Sequence, residues 1–126
     1  MSTLRLTTIS NQSGSSSVPS DTVINGSAKA WVNFNGTGTV AIRASFNVSS
    51  ITDNGTGNYT ANFTTAFADT NYAVCGTANG SANYGDRQIS ATPTSGSACR
   101  LYSGVTASST LYDADYMMAS FFRCLS

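Results

Sequence analysis

The sequence predicts an all-β protein, an antiparallel β-sandwich of jelly-roll type, and three observations carry that expectation. Val40, Ile42, Ala44, Phe46 and Val48 alternate with Ala41, Arg43, Ser45 and Asn47, and a period of two sets one apolar row on one face of a strand. Asn35-Gly36 and Asn54-Gly55 stand between such runs, and both residue types tolerate the positive φ of hairpin turns. Short apolar runs then recur to the end of the chain at even spacing, broken by Gly and Asn, which is the pattern of a sandwich.

Taken in order, Leu4 and Leu6, with Thr8, alternate with Arg5 and Thr7 and predict a short first strand. Ser10 to Ser20 holds no large residue except Val18 and is the one segment whose composition fits a disordered arm. Residues 1–25 are therefore read as a strand plus a Ser-rich docking arm, and residues 26–126 as the sandwich domain. Ala30 to Phe34 places Ala30, Val32 and Phe34 on one face; Trp31, on the other, is read as core. Thr39 to Val48, Ser50 to Asp53, Tyr59 to Thr64, Tyr72 to Thr77, Arg87 to Ala91, Ala98 to Val105 and Tyr116 to Cys124 complete the strands. Asn79-Gly80, Gly85-Asp86 and Pro93 to Gly96 are the turns between the later ones. Helical spacing is also legible over Ser108 to Phe122, but the all-β context favours a loop there and then a strand from Tyr116.

Composition narrows the function classes. Ser, Thr, Asn and Gly make up 59 of 126 residues, and six Asp balance five Arg and the single Lys29. A chain of this size builds one core. Without a basic stripe it is not expected to bind nucleic acid or an anionic membrane, and no apolar run reaches the length of a membrane span. The opening MSTLRLTTIS lacks the apolar stretch of a secretory signal, so the eight Asn-x-Ser/Thr triplets are read as by-products of composition. Thirteen aromatics distributed from Trp31 to Phe122 argue for a folded chain. The surface this predicts is neutral and rich in hydroxyls and amides, suited to contact with proteins or sugars.

Chemistry is sparse. The chain contains neither His nor Glu, which removes the usual general base and the commonest metal ligand. Cys75, Cys99 and Cys124 lack C-x-x-C spacing and are read as reduced, packed thiols. Asp113 and Asp115 could share a strand face and hold Ca²⁺, or lie in a polar loop before the last strand, the reading preferred. Asp86-Arg87 reads as a turn and a surface pair. No catalytic residue, cofactor or metal site is assigned. The twice-occurring NGTG, at Asn35 to Gly38 and Asn54 to Gly57, is read as two turns with one backbone requirement rather than a repeat or a phosphate loop. Arg43, Arg100 and Arg123 are either solvated or candidate subunit-interface residues, because a planar donor fork suits a buried contact.

The stretch WVNFNGTGTVAIRASFNVSSITDNGTGNYTANFTTAFADTNYAV, from Trp31 to Val74, resembles a segment common in bacteriophage tail-fibre and related virion surface proteins. The likeness is most specific between Lys29 and Val74 and loose after Gly76. It implies a β-sandwich module, assembled as a homotrimer, without cofactor or active site. It also implies that exposed loops, here Asn79 to Asp86 and Thr92 to Ala98, meet the host surface, so that Asn79, Tyr84, Asp86 and Thr94 are candidate contacts. Members of that family typically end a longer fibre. A copy opening with Met and an arm, without a shaft, is instead expected to dock on another virion protein by strand addition. The expectation is thus a non-enzymatic structural protein on the virion surface, a trimeric capsid decoration or cement knob, alternatively a tail-fibre tip recognising host glycans. A carbohydrate-binding module using Tyr84, Tyr102 and Tyr112 as stacking platforms is a third reading.

Overall fold

The computed structural model describes residues 1–80, 87–105 and 109–123. In chain order it comprises β1 (Thr8–Ser10), β2 (Ser17–Pro19), α1 (Ser20–Gly26), β3 (Ala30–Asn35), β4 (Ala41–Phe46), β5 (Val48–Asp53), β6 (Asn58–Phe63), β7 (Ala73–Asn79), β8 (Arg87–Ser95), β9 (Ala98–Val105) and β10 (Tyr116–Phe122). Two four-stranded antiparallel sheets, ordered β4-β3-β10-β7 and β5-β6-β9-β8, pack on one another, and β1 and β2 form a separate hairpin. The all-β class is as expected. The jelly-roll qualifier is not met: β3–β4, β5–β6 and β8–β9 are hairpins within one sheet, whereas a jelly roll changes sheet at almost every connection.

Alternation builds the core. Ala30, Val32 and Phe34 of β3, Tyr59, Ala61 and Phe63 of β6, Cys99 and Leu101 of β9, and Met117, Ala119 and Phe121 of β10 are buried. Edge-to-face aromatic pairs join the two sheets: Phe34 with Tyr59 at 5.2 Å and Phe63 with Phe121 at 4.9 Å between centroids. Such pairs add about 0.5–1.5 kcal/mol each beyond the area they bury.

The long apolar row expected from Val40 to Val48 is cut twice. A bulge at Arg43, where Phe34 pairs with Ile42 but Asn33 with Ala44, turns Ala44 and Phe46 from the core face to the outer face, since an extra residue inverts the alternation. Asn47 then adopts φ 55°, and the chain passes from one sheet to the other. Its side chain makes the corner: Nδ2 donates to the carbonyls of Lys29 at 3.1 Å and Thr65 at 3.0 Å, and Oδ1 accepts from Thr65 N–H at 2.7 Å. The break expected between Val48 and Ser50 therefore falls at Asn47, and Val48 opens β5.

Other expectations shift as well. Trp31, read as core, lies on the outer face with 40% of its surface exposed. β8 runs through Pro93 to Ser95 with a bulge, so Thr92 and Thr94 belong to a strand rather than a loop; as an edge strand β8 accommodates the missing N–H. Residues 109–115 are not helical, and a loop precedes β10. The segment Ser10 to Ser20, expected without order, forms the β1–β2 hairpin. Its turn is tied by polar side chains, with Asn11 Nδ2 donating to Ser15 Oγ at 3.0 Å and Ser13 bonded to both. The expected strand at Leu4 to Leu6 is absent, and β1 starts at Thr8.

Candidate interaction surfaces

Asp113 and Asp115 hold the two NGTG turns together. Asp113 Oδ1 accepts from Gly57 N–H at 2.8 Å and from the Tyr59 hydroxyl at 2.7 Å, while Asp115 Oδ1 accepts from Thr37 Oγ1 at 3.2 Å. The Gly36 carbonyl also stands 2.8 Å from the Tyr59 hydroxyl, and Gly36 N–H donates to Ala114 at 2.9 Å. Each NGTG turn is thus engaged by one carboxylate of a single loop, around a buried phenol. Gly36 is required by this approach, because a Cβ there would lie 2.6 Å from the Tyr59 hydroxyl oxygen. Burial, reinforced by the Asp113 carboxylate, holds the Tyr59 phenol far above its ordinary range. Among the described residues no group of three potential acidic, Cys or His ligands forms a metal cluster.

The three arginines do not share a surface. Arg43 places its guanidinium 4.3 Å over the Tyr116 ring and donates to the Asp115 carbonyl at 2.5 Å. Arg123, at the other end of β10, pairs with Asp69 at 2.7 Å and donates to the Asn71 carbonyl at 3.3 Å. Arg100 sits on the outer face of the opposite sheet, its Nε buried without a partner. Of the loop candidates, Asn79 ends β7 and is half-buried with an unpaired Oδ1. Thr94 is exposed on β8 and donates to the Ala98 carbonyl at 2.9 Å. Arg87, at the start of β8, donates to the Asp113 carbonyl, so Thr94 lies at the end of the sandwich away from Asn79. Tyr84, Asp86 and Cys124 lie outside the described residues. Cys99 is buried as expected, but Cys75 is exposed on the outer face of β7.

The two outer faces of the sandwich differ chemically. On the β5-β6-β9-β8 sheet, Thr52, Thr60, Arg100 and Thr92 form one row and Asn58, Tyr102 and Ser90 the next. Tyr102 borders a pocket of about 110 Å³ with Gln88, Ser90 and Thr110. On the β4-β3-β10-β7 sheet, Phe46, Trp31, Ser120 and Cys75 form one row and Ala44, Asn33, Met118 and Thr77 the next. Trp31, Met118 and Cys75 wall a mainly apolar groove of about 440 Å³ with Ser120 between them. This face escaped the sequence because the bulge that carries Phe46 outward leaves the written alternation intact.

The N-terminal arm is a third surface. No residue from Met1 to Lys29 is buried, and Leu4, Leu6, Ile9, Val23 and Ile24 line a groove of about 410 Å³ within it. Lys29 closes the end of α1: Nζ donates to the Ile24 carbonyl and, at 2.7 Å, to that of Ser27. Lys29 N–H donates at 2.8 Å to Phe121 of β10. The arm therefore joins the sandwich beside the end of β10. No protein-family model, curated protein or solved structure matches the chain.

Proposed function

We propose that this chain is a non-enzymatic bacteriophage virion surface protein, a trimeric knob that decorates and cements the capsid. The observation that carries this reading is the arm: none of residues 1–26 is buried, with Leu4 82% exposed and Leu6 and Ile24 about half exposed. Exposed apolar side chains grouped on one segment gain stability when a neighbouring subunit covers them, which suits a protein that ties others together. The resemblance of Trp31 to Val74 to virion surface proteins supports the setting, and the low-charge surface suits a close-packed lattice. The Asp113–Asp115 loop, which holds the richest cluster of carboxylates, serves the fold.

A second reading, a tail-fibre tip that recognises host-surface glycans, is favoured by the flat polar face around Arg100 and Tyr102. Hydroxyls, amides and one aromatic edge beside a small pocket suit a saccharide. Virions assembled without this chain separate the two. A cement role predicts shells that rupture at lower temperature or lower salt while adsorption to the host is unchanged. A fibre-tip role predicts intact shells that fail to adsorb. Particles indistinguishable from wild type in both respects would refute both readings.

A further inference from the structure

We infer that the outer face of the β5-β6-β9-β8 sheet binds an acidic saccharide, with Arg100 receiving a carboxylate and Tyr102 supporting the sugar ring. This rests on the glycan reading of that face and deepens it by naming the sugar class and its anchor, whether the chain sits on a shell or a tail. Among the described cations of the sandwich, Arg100 is the one the fold does not use. Arg43 and Arg87 stack on Tyr116 and Tyr112 and donate to the carbonyls of Asp115 and Asp113. Arg123 pairs with Asp69, and Lys29 closes α1. Arg100 stands mid-sheet between Thr60 and Thr92, its Nε covered and without a partner. No acid stands in its row or in the next among the described residues.

The polar side chains of this face divide in two. On the β5–β6 half they bond to one another: Asn62 Nδ2 donates to Ser50 Oγ at 3.1 Å and Thr52 Oγ1 at 3.0 Å, and Asn54 Nδ2 to Thr60 Oγ1 at 2.9 Å. On the β9–β8 half, Ser90, Thr92 and Tyr102 flank Arg100 and make no such side-chain bond among the described residues, so their hydroxyls are open to a ligand. Tyr102 follows Arg100 by two residues on one face, roughly 6.5 Å along the strand, and borders the pocket of about 110 Å³ with Gln88 and Ser90. Because Nε is covered, a carboxylate would meet the two terminal guanidinium nitrogens end-on, in a charge-assisted pair. The Tyr102 ring offers an apolar body to the C–H face of a sugar and a hydroxyl to its rim. Charge selects the acid. With no second cation on the face among the described residues, one guanidinium balances one carboxylate, whereas a phosphate monoester carries about −1.5 to −2. An acidic peptide fits less well, since β9 is paired on both sides and gives a peptide no strand edge to extend.

Titrating the full chain with oligogalacturonate, and with its methyl ester of equal length, tests this by amide NMR. The ester keeps the sugar rings and removes their charge. The acid should bind at least about tenfold tighter, with shifts centred on Ser90, Arg100 and Tyr102. Arg100→Met should abolish that preference while the urea midpoint stays equal or rises, since the guanidinium has no partner in the fold. Tyr102→Ala should weaken acid and ester alike. Equal binding of acid and ester would overturn the inference and leave a neutral-glycan reading standing. Equal binding of hexaglutamate would show that charge alone is recognised, and would overturn it too. So would shifts centred on another face, or a lower midpoint in Arg100→Met with the preference kept. Binding of neither form at about 10 mM would also overturn it, and adsorption of virions lacking the chain then decides the glycan reading separately.

Discussion

Tyr59 concentrates the chemistry that fixes one end of the sandwich. Its hydroxyl stands 2.8 Å from the Gly36 carbonyl and 2.7 Å from Asp113, so it bridges the first NGTG turn to the loop that holds the second. Tyr59→Phe keeps the ring's packing on Phe34 but removes the hydroxyl that donates to Asp113 Oδ1 and stands beside the buried Gly36 carbonyl. The expected cost is about 1–3 kcal/mol, read as a lower denaturation midpoint in urea with an unchanged slope. An unchanged midpoint would show that the bridge contributes nothing. Burial also raises the Cys99 thiol from about 9 to about 11, and it lifts the Tyr59 and Tyr72 phenols well above their usual range. The unfolded chain therefore releases these protons first. Stability is fully present below about pH 9 and declines as pH rises toward 11 and beyond, because the unfolded state then binds fewer protons than the folded one. Urea midpoints measured from pH 7 to pH 11 should fall progressively above 9; a flat profile would contradict the burial of all three groups.

At the scale of elements, the decisive feature is the corner between β4 and β5. Asn47→Ala removes three hydrogen bonds and leaves at φ 55° a residue without the polar side chain that lets Asn tolerate the left-handed region, costing about 2–3 kcal/mol. Asn47→Gly relieves the backbone cost and should destabilise less, so equal losses in the two variants would show that the conformation is not the cause. This corner also shows what was legible. β3, β6, β9 and β10 could be read from alternation because each has one buried face, and a period of two is then enforced by burial. The break between β4 and β5 was expected two residues too late, because the apolar letters continue across both the bulge at Arg43 and the turn at Asn47. Asn47 carried a signal, as a residue tolerant of left-handed backbone, but Asn is too frequent in this chain for one copy to stand out. The Asp113–Ala114–Asp115 cluster was visible as carboxylates in a loop. Its partners, Thr37, Gly57 and Tyr59, were not, since they meet it only when β3, β6 and β10 come together. The hairpin from Thr8 to Pro19 was missed because hydroxyl and amide bonds, rather than apolar periodicity, tie its turn.

The whole molecule consists of a packed sandwich with one polar outer face, one outer face that carries an apolar groove, and an arm with no buried residue. Core aromatics account for the sandwich, while Trp31, Phe46 and the arm's Leu4, Leu6 and Ile24 remain exposed. In the proposed role the protein gains stability on joining a lattice, by the mass action that links binding to folding. Its thermal midpoint should therefore rise with protein concentration and be higher still on the particle. The measurement that tests the account most directly is the copy number of this chain in purified virions, with its position resolved by electron microscopy. The account predicts a count commensurate with the icosahedral lattice and density on the shell, its arm lying between neighbouring subunits. A few copies confined to the tail vertex, or none on the particle, would contradict it.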